Sequence, residues 1–268
     1  KIPPLLGYSV DDNMKPTLGW LRTRLDLSDA GLKKMVLALP PLLGLSVVDN
    51  VAPTLAWLQT RLDLGDAQLR KMVVAYPTLL GLRVERMESN CAWLQRRLGL
   101  DKTQLAKVVV ASPPLLYLSV DDNMAPKLDW LQKRLDLGDA QLRTLVMRFP
   151  KLLGYSVVDN FSPRLDWLQR RLDLDDAGLR MMVLRKPQVL GYSIKDKMVP
   201  TLDWLQSRLD LNETELKQVI VTFPSLFGFS VEGNMEPKLG FFEEELGLSA
   251  SEVRASIISG PSRLGQSL

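Results

Sequence analysis

The chain has 268 residues, of which 46% are hydrophobic and 24% are charged, proportions typical of a soluble protein with a packed core. The absence of histidine excludes an imidazole base, a Ser-His-Asp triad and a histidine-led zinc site, and the single Cys91 excludes an intramolecular disulfide. A net charge of +3 is only mildly basic, and no apolar run approaches the ~18 residues of a membrane helix.

The chain is built from internal repeats, and a proline marks each one. The spacing is 37 residues throughout, except for one interval of 36 between the third and fourth markers, which are Pro3, Pro40, Pro77, Pro113, Pro150, Pro187, Pro224 and Pro261. An aromatic residue recurs in step, at Trp20, Trp57, Trp93, Trp130, Trp167, Trp204 and Phe241. Seven repeats without a linker predict a single repeat array over residues 1–268.

Each repeat predicts a first short helix. Leu18, Leu21 and Leu25 have the i, i+3, i+7 spacing that places them on one helical face. We expect this helix to begin near Pro16, because proline is tolerated in a first turn. Corresponding prolines occur at Pro53, Pro126, Pro163, Pro200 and Pro237. The third repeat has Ser89 at this position, close to its one-residue deletion.

A second short helix follows in each repeat. Its predicted N-cap residues are Ser28, Gly65, Asp101, Gly138, Asp175, Asn212 and Ser249. A glutamine or glutamate stands three residues later in five of the seven repeats and predicts a capping box. The next marker proline ends the helix, because proline disfavours helical geometry at the preceding residue.

The Leu-Leu-Gly segment after each marker proline predicts a short helical turn packed into the core. We expect its glycine, as at Gly81 and Gly191, to occupy a positive-φ or crowded position. One repeat cannot bury its own apolar face, whereas stacked repeats can. The predicted fold is therefore all-α: an α-solenoid of seven ~37-residue helix-helix-short 3₁₀ repeats that forms a curved superhelix.

The recurring motifs together resemble a known family. The order P-x-L-L-G-x-S-V, N-M-x-P-x-L-x-W-L, L-D-L and M-V-x-x-x-P is similar to that of the mTERF family, the mitochondrial transcription termination factors. The resemblance covers the whole chain and implies curved arrays of paired helices. It also implies location in the mitochondrion, or alternatively the chloroplast, and binding to organellar DNA or RNA. Members serve transcription termination, splicing, ribosome assembly or partner recruitment.

Two series of charged residues recur so regularly that a structural role is the simpler interpretation. The arginine ladder lies one helical turn after the aromatic residue and comprises Arg24, Arg61, Arg97, Arg134, Arg171 and Arg208. It could bind phosphates, stack on the tryptophan or pair with an aspartate of a neighbouring repeat. We favour a structural role, because the last repeat loses both residues, with Phe241 followed by Glu245.

The aspartate series comprises Asp26, Asp63, Asp136, Asp173 and Asp210. We interpret these residues as solvated acids near helix ends, because a regular series offers no unique pocket for acid-base catalysis. We therefore expect no catalytic residue, no metal site and no cofactor, and we class the chain as a non-enzyme.

The second helix offers a candidate binding face. At 100° per residue, its outward positions are those of Lys34 and Ala38. The first position carries lysine in repeats one to three, the second carries arginine in repeats four and five, and no acidic residue interrupts either. We call this face, with its margins, the basic track: Lys34, Lys71, Lys107, Arg143, Arg148, Lys151, Arg180, Arg185 and Lys186. We expect it on the concave side, with little effect on stability. A solvated helix face is the alternative.

The resulting functional hypothesis is an organellar, non-catalytic nucleic-acid-binding protein acting in transcription or RNA metabolism. The basic track would follow the phosphate backbone of double-stranded DNA or RNA. No RNA-recognition motif or GxxxxGK loop supports sequence-specific readout. The alternative is a structural or assembly component that contacts rRNA and proteins in a larger complex such as a mitochondrial ribosome. Transcription proteins are further possible partners, and we expect no contact with a membrane.

Overall fold

Paired helices and short turns form nearly all of the protein. The computed structural model describes residues 9–266, of which 82% are helical, and it contains no strand among them. This confirms the predicted all-α solenoid of helix-helix-3₁₀ repeats. The predicted turn around Pro3 and Gly7 lies outside the described residues. The chain divides into a first compact unit, Lys1–Leu128, and a second compact unit, Asp129–Leu268.

The first unit contains three complete helix pairs. These are α1 (Lys15–Leu25) and α2 (Asp29–Ala38), α3 (Ala52–Leu62) and α4 (Asp66–Ala75), and α5 (Val84–Leu98) and α6 (Lys102–Ala111). Short 3₁₀ turns follow the pairs at Pro40–Gly44, Pro77–Gly81 and Pro113–Leu116. The division between the units falls within α7 (Ala125–Arg134).

The second unit continues the same pattern. Its helices are α8 (Asp139–Arg148), α9 (Ser162–Arg171), α10 (Asp176–Arg185), α11 (Val199–Leu209), α12 (Glu213–Thr222), α13 (Glu236–Glu244) and α14 (Ala250–Ser259). Its 3₁₀ turns are Pro150–Gly154, Pro187–Gly191, Pro224–Gly228 and Pro261–Gly265.

A turn of π-helix precedes the first helix in six repeats, and the sequence did not predict it. These turns are Val10–Met14, Val47–Val51, Val120–Met124, Val157–Phe161, Ile194–Met198 and Val231–Met235. The serine before each turn caps it: the Ser46 hydroxyl accepts a hydrogen bond of 3.1 Å from the Asp49 amide. The α-helices do begin beside their prolines as predicted, but helical structure starts five residues earlier.

The third repeat shows why the turn exists. It is one residue shorter, and there α5 runs without interruption from Val84, with Arg83 in place of the capping serine. A π-turn holds one more residue than the α-turn it replaces. Deleting one residue therefore converts the π-turn into regular α-helix and leaves the rest of the repeat in register.

Leucines, valines and methionines from both helices and the 3₁₀ turn of each repeat form the core. Leu21 of α1, Met35 of α2 and Leu42 of the following turn are all fully buried. Each such side chain contributes roughly 1.5–3 kcal/mol through removal from water. Because the same positions are buried in the first six repeats, neighbouring repeats share one continuous core within each unit.

The end of each first helix explains the aspartate series. Asp26, Asp63, Asp136, Asp173 and Asp210 adopt left-handed backbone conformations with φ between 45° and 53°. Aspartate tolerates this conformation better than most residues, and glycine replaces it at Gly99 and Gly247. The Leu-Leu-Gly glycines were predicted to have a positive φ or to be crowded, and none of those in the described residues has a positive φ. Some of them are crowded instead, as a Cβ on Gly191 would lie 3.0 Å from the Phe149 ring.

Candidate nucleic-acid interface

The two outward positions of the second helices are exposed in all seven repeats, as the helical periodicity predicted. In the first unit, the side chains of Lys34, Lys71 and Lys107 form no hydrogen bond or ion pair with any described residue. Their ammonium groups are therefore available to an external anion. An apolar residue lies between the outward positions, and at Leu37 it is 70% exposed.

The lysines of the first unit border grooves between consecutive second helices. Lys34 and Lys71 line a groove of about 470 Å³ between α2 and α4, together with Arg70 and Val74. Lys107 lines a separate groove of about 360 Å³ where α6 faces the end of α3 and the start of α4. The structure thus brings Lys34 and Lys71 to one groove and Lys107 to the next.

The arginines of the second unit are held differently. Arg148 donates from Nη1 to the Leu184 carbonyl at 2.7 Å and from Nη2 to the Arg185 carbonyl at 2.9 Å. Arg185 donates from Nη1 to the Val221 carbonyl at 2.8 Å. Each guanidinium therefore caps the C-terminal end of the next second helix, where carbonyls lack intrahelical partners and a positive charge is favourable. These bonds contradict the expectation that both arginines contribute little to stability.

The margins of the basic track have mixed environments. Lys151 is exposed and Lys186 is half-buried, and neither ammonium group forms a hydrogen bond or ion pair with a described residue. Arg143 is half-buried. Arg180 is engaged with the preceding repeat, because its Nη1 lies 2.5 Å from Asp136 Oδ2 and 3.1 Å from the Asp136 carbonyl.

The Arg180 contact belongs to a series that we call the cap bridges. In each, a basic residue next to the first outward position reaches back to the left-handed aspartate that ends the preceding first helix. The described cap bridges are Arg70–Asp26, Arg180–Asp136, Lys217–Asp173 and Arg254–Asp210. They bring acidic residues to one edge of the outward face, which the sequence pattern did not reveal.

The arginine ladder joins neighbouring repeats, in agreement with the structural interpretation. Arg134 donates to Gln169 at 2.7 Å and to Asp166 at 3.1 Å in the following repeat. Arg208 pairs with Glu236 and with Glu243, and its guanidinium holds the Glu243 pKa below the ordinary value. Pairing with a neighbouring repeat was one of the predicted alternatives. The tryptophans are half-buried beside these pairs, and the Trp204 indole also donates to Glu236 at 2.8 Å.

A second set of polar contacts between repeats was missed from the sequence. Residues in the first half of the first helix donate to carbonyls within or just after the next Leu-Leu-Gly segment. Asn90 donates to Leu115 and Leu118 at 2.9 Å, and Lys238 donates to Leu264 at 2.7 Å. Burial lowers the pKa of the Lys238 ammonium group. These side chains satisfy backbone groups in the core, which makes them structural rather than ligand-binding residues.

Residues 9–266 show neither a metal-binding cluster nor a membrane-spanning helix. That part of the chain contains no group of three or more cysteine, aspartate or glutamate side chains arranged to hold a metal ion. None of its helices combines the length and the apolar character needed to cross a membrane.

Comparison with known proteins agrees with the repeat architecture. The mTERF family model matches residues 1–268, the whole chain. A search of curated proteins finds no match to the chain. Members of the mTERF family are in general organellar helical-repeat proteins that bind nucleic acids without catalysis. The extent of the match and the repeated pairs of helices together show that the chain belongs to the mTERF family.

Proposed function

We propose that this protein is a non-catalytic organellar nucleic-acid-binding protein whose basic track contacts the phosphate backbone of double-stranded DNA or RNA. It would act in transcription or RNA metabolism. We further propose that residues 1–268 act as a single repeat array, and that the organelle is the mitochondrion, with the chloroplast as the alternative.

The observation that carries the proposal is that the outward lysines of the first unit are exposed and unpaired. Lys34, Lys71 and Lys107 are exposed, have no partner among the described residues and follow one another on consecutive second helices. A lysine that stabilised the fold would be expected to have a carboxylate or carbonyl partner, as the cap-bridge residues do. Unpaired cations in a series suit a ligand with regularly spaced negative charges.

The two units contribute unequally to the positive charge of the protein. Residues 1–128 contain 16 basic and 12 acidic residues, whereas residues 129–268 contain 18 basic and 19 acidic residues. In the second unit, the basic track is therefore a local feature of an otherwise balanced surface. Arg148 and Arg185 still retain unused N–H donors, because a guanidinium carries five and the carbonyls occupy two at most.

Salt dependence tests the proposal directly. If Lys34, Lys71, Lys107, Arg148 and Arg185 meet about five phosphates of duplex DNA, log affinity should fall with log salt at a slope near −4 to −5. Fluorescence anisotropy with duplex DNA, single-stranded RNA and structured RNA, each between about 50 and 200 mM salt, measures this slope. Replacing Arg148 and Arg185 by glutamine should flatten the slope by roughly two and weaken binding to unrelated sequences about equally.

An unchanged slope in that variant would reject the basic track. Binding that required purified organellar ribosomal components instead of free nucleic acid would support the alternative, a structural or assembly role in a larger complex. Fluorescence microscopy of the full-length protein fused to a fluorescent protein tests the mitochondrial location, and a chloroplast signal would replace it with the alternative.

A further inference from the structure

The interface between the second and third repeats has the aspartate of a cap bridge but lacks its basic partner. In the third repeat, the cap-bridge position holds Ala106 instead of arginine or lysine. The aspartate that it would contact, Asp63, ends α3 with φ 53° and pairs with no described residue. The equivalent Asp26 lies 3.1 Å from Arg70. Asp63 is thus left with a free carboxylate at the edge of the outward face.

The missing side chain leaves the groove beside α6 open. The groove has a volume of about 360 Å³, within the range of small-ligand sites, and is lined by Asp63, Gln68, Lys102, Ala106, Lys107 and Val110, among others. Gln68 Oε1 accepts from the Gly65 amide at 3.0 Å, and its Nε2 donates to no described residue. Lys102 and Lys107 are exposed without partners.

Each group that lines the groove offers a ligand a different kind of contact. The Asp63 carboxylate offers two adjacent acceptors, the Gln68 amide offers donors, and Ala106 and Val110 supply an apolar wall. Lys102 and Lys107 place positive charge on the α6 side of the groove. A fitting ligand carries two neighbouring donors, an acceptor beside them, a flat apolar body and a negative charge.

We propose that this groove binds an unpaired guanine nucleotide of a single-stranded nucleic acid. The Watson–Crick edge of guanine presents N1–H and N2–H side by side, which can both donate to Asp63, and O6 beside them can accept from Gln68. The flanking phosphates lie against Lys102 and Lys107. The inference rests on the proposed binding of nucleic acid, requires a single strand because only an unpaired guanine presents this edge, and adds a base preference that the sequence did not predict.

The other three bases fit the same groups less well. Uracil has two carbonyl oxygens beside its N3–H, and these oppose the carboxylate oxygens of Asp63. Cytosine and adenine each offer one amino group next to a ring nitrogen that accepts. A buried or crowded acceptor left facing another acceptor loses the free energy of a hydrogen bond. Guanine is therefore favoured over uracil, cytosine and adenine, because only its donors and acceptor match both Asp63 and Gln68.

The test is fluorescence anisotropy with short oligouridines that contain one central guanosine, adenosine, inosine or uridine. We expect guanosine to tighten binding by about tenfold over uridine, the effect of one bidentate contact. Inosine, which lacks the N2 amino group, should lose most of that gain. Duplex DNA binding should not change with guanine content, because paired guanines do not expose this edge.

Two variants of the chain make the test specific. Ala106→Arg restores the residue type found at the other cap bridges, so it should fold normally, bind Asp63 and fill the groove. Asp63→Asn keeps a residue that tolerates the left-handed backbone but replaces one acceptor with a donor. Both should abolish the guanosine preference while oligouridine still binds. Ala140→Arg, on an exposed position of α8, adds the same charge outside the groove, and Asp26→Asn changes an aspartate already paired with Arg70. Both controls should keep the preference.

Equal binding of the guanosine and uridine oligonucleotides would overturn this inference alone. A guanosine preference that survived Ala106→Arg would also overturn it, because the groove would not be the site. Failure to bind any oligonucleotide or duplex at any salt concentration would overturn the proposed function together with this inference.

Discussion

The two compact units use exposed positive charge in different ways. In residues 1–128 the outward cations are lysines in the middle of the second helices, and they form no hydrogen bond or ion pair with another described residue. In residues 129–268 they are arginines at the C-terminal ends of the second helices, and Arg148 and Arg185 bond to carbonyls of the following repeat. The first set is free for a ligand, whereas the second also holds repeats together.

The side chains account for this difference. Lysine has a compact ammonium group with strong hydration, so an exposed lysine without a nearby acceptor remains in solvent. Arginine carries a planar fork that reaches two carbonyls at once, which suits the unsatisfied end of a helix. A count of basic residues gives lysine and arginine equal weight. Replacing the lysines of the first unit and replacing the arginines of the second should nevertheless have different effects on stability and binding.

The largest effect should come from the lysines of the first unit. We expect Lys34→Gln, Lys71→Gln and Lys107→Gln together to weaken duplex binding on the order of 100-fold at about 0.1 M salt and to flatten the salt slope by about three. The free energy of unfolding should change by less than about 0.5 kcal/mol, because no intramolecular partner is lost. Anisotropy titrations and urea denaturation measure both quantities.

The matched control removes three other exposed lysines, Lys15, Lys133 and Lys195, which lie outside the second helices. It lowers the net charge equally, so it should reproduce only the weak, long-range part of the loss. Equal weakening by the two triple variants would show that net charge, and not the position of the lysines, controls binding.

Stability should separate the arginines of the second unit from the lysines of the first. Replacing Arg148 and Arg185 by glutamine should lower the free energy of unfolding by about 2 kcal/mol, roughly 1 kcal/mol for each exposed, charge-assisted set of bonds. Urea denaturation followed by circular dichroism measures the change. Lys151→Gln with Lys186→Gln removes two neighbouring charges that have no side-chain partner, so it should leave stability unchanged. Similar losses in the two double variants would contradict a capping role for the arginines.

Much of the fold could be predicted from the sequence, because the repeats present the same information seven times. The leucine spacing gives helix faces, the marker prolines give helix ends, and residues such as Ser28 give the starts. The π-turns could not be predicted in this way. Five residues contain too little hydrophobic pattern to distinguish a π-turn from an α-turn, and only the shortened third repeat reveals the difference.

The candidate interface was predictable only in part. Exposure of Lys34 and Arg148 follows from 100° per residue, because it depends on one helix alone. The partners of Arg148 depend on which carbonyls of the next repeat lie within reach of a long side chain, and residue spacing does not give that distance. The open groove at Ala106 is likewise visible only once Arg70 is seen to contact Asp26, 44 residues earlier in the chain.

Alkaline pH should weaken the first unit selectively. Cys91 is fully buried in α5, and burial raises its pKa to about 12. The unfolded thiol has an ordinary pKa near 8.5, so above that pH the unfolded state loses a proton that the folded state keeps. Stability should therefore fall with rising pH, by about 1.4 kcal/mol per pH unit from this group alone. No cysteine occurs in the second unit.

Urea denaturation at pH 9 and pH 10, in the parent protein and in Cys91→Ala, measures this contribution. The variant starts from lower stability because it leaves a small cavity, but its loss between the two pH values should be about 1 kcal/mol smaller. Tyrosines and lysines titrate equally in both proteins, so the difference belongs to the thiol. Parallel pH profiles would mean that Cys91 ionises as readily in the folded state as in the unfolded one.

The smallest effect should come from giving the first unit the capping contact of the second. Ala75 is exposed at the position that corresponds to Arg148, and the next second helix, α6, ends at Ala111. In Ala75→Arg, the guanidinium should reach the last carbonyls of α6 and stabilise the protein by about 0.5–1 kcal/mol. Ala75→Gln supplies a long uncharged side chain and should give little of this gain. Thermal unfolding should show a rise of about 2–4 °C per kcal/mol in the arginine variant. Unchanged stability there would mean that capping by Arg148 depends on features of the second unit that α4 and α6 do not share.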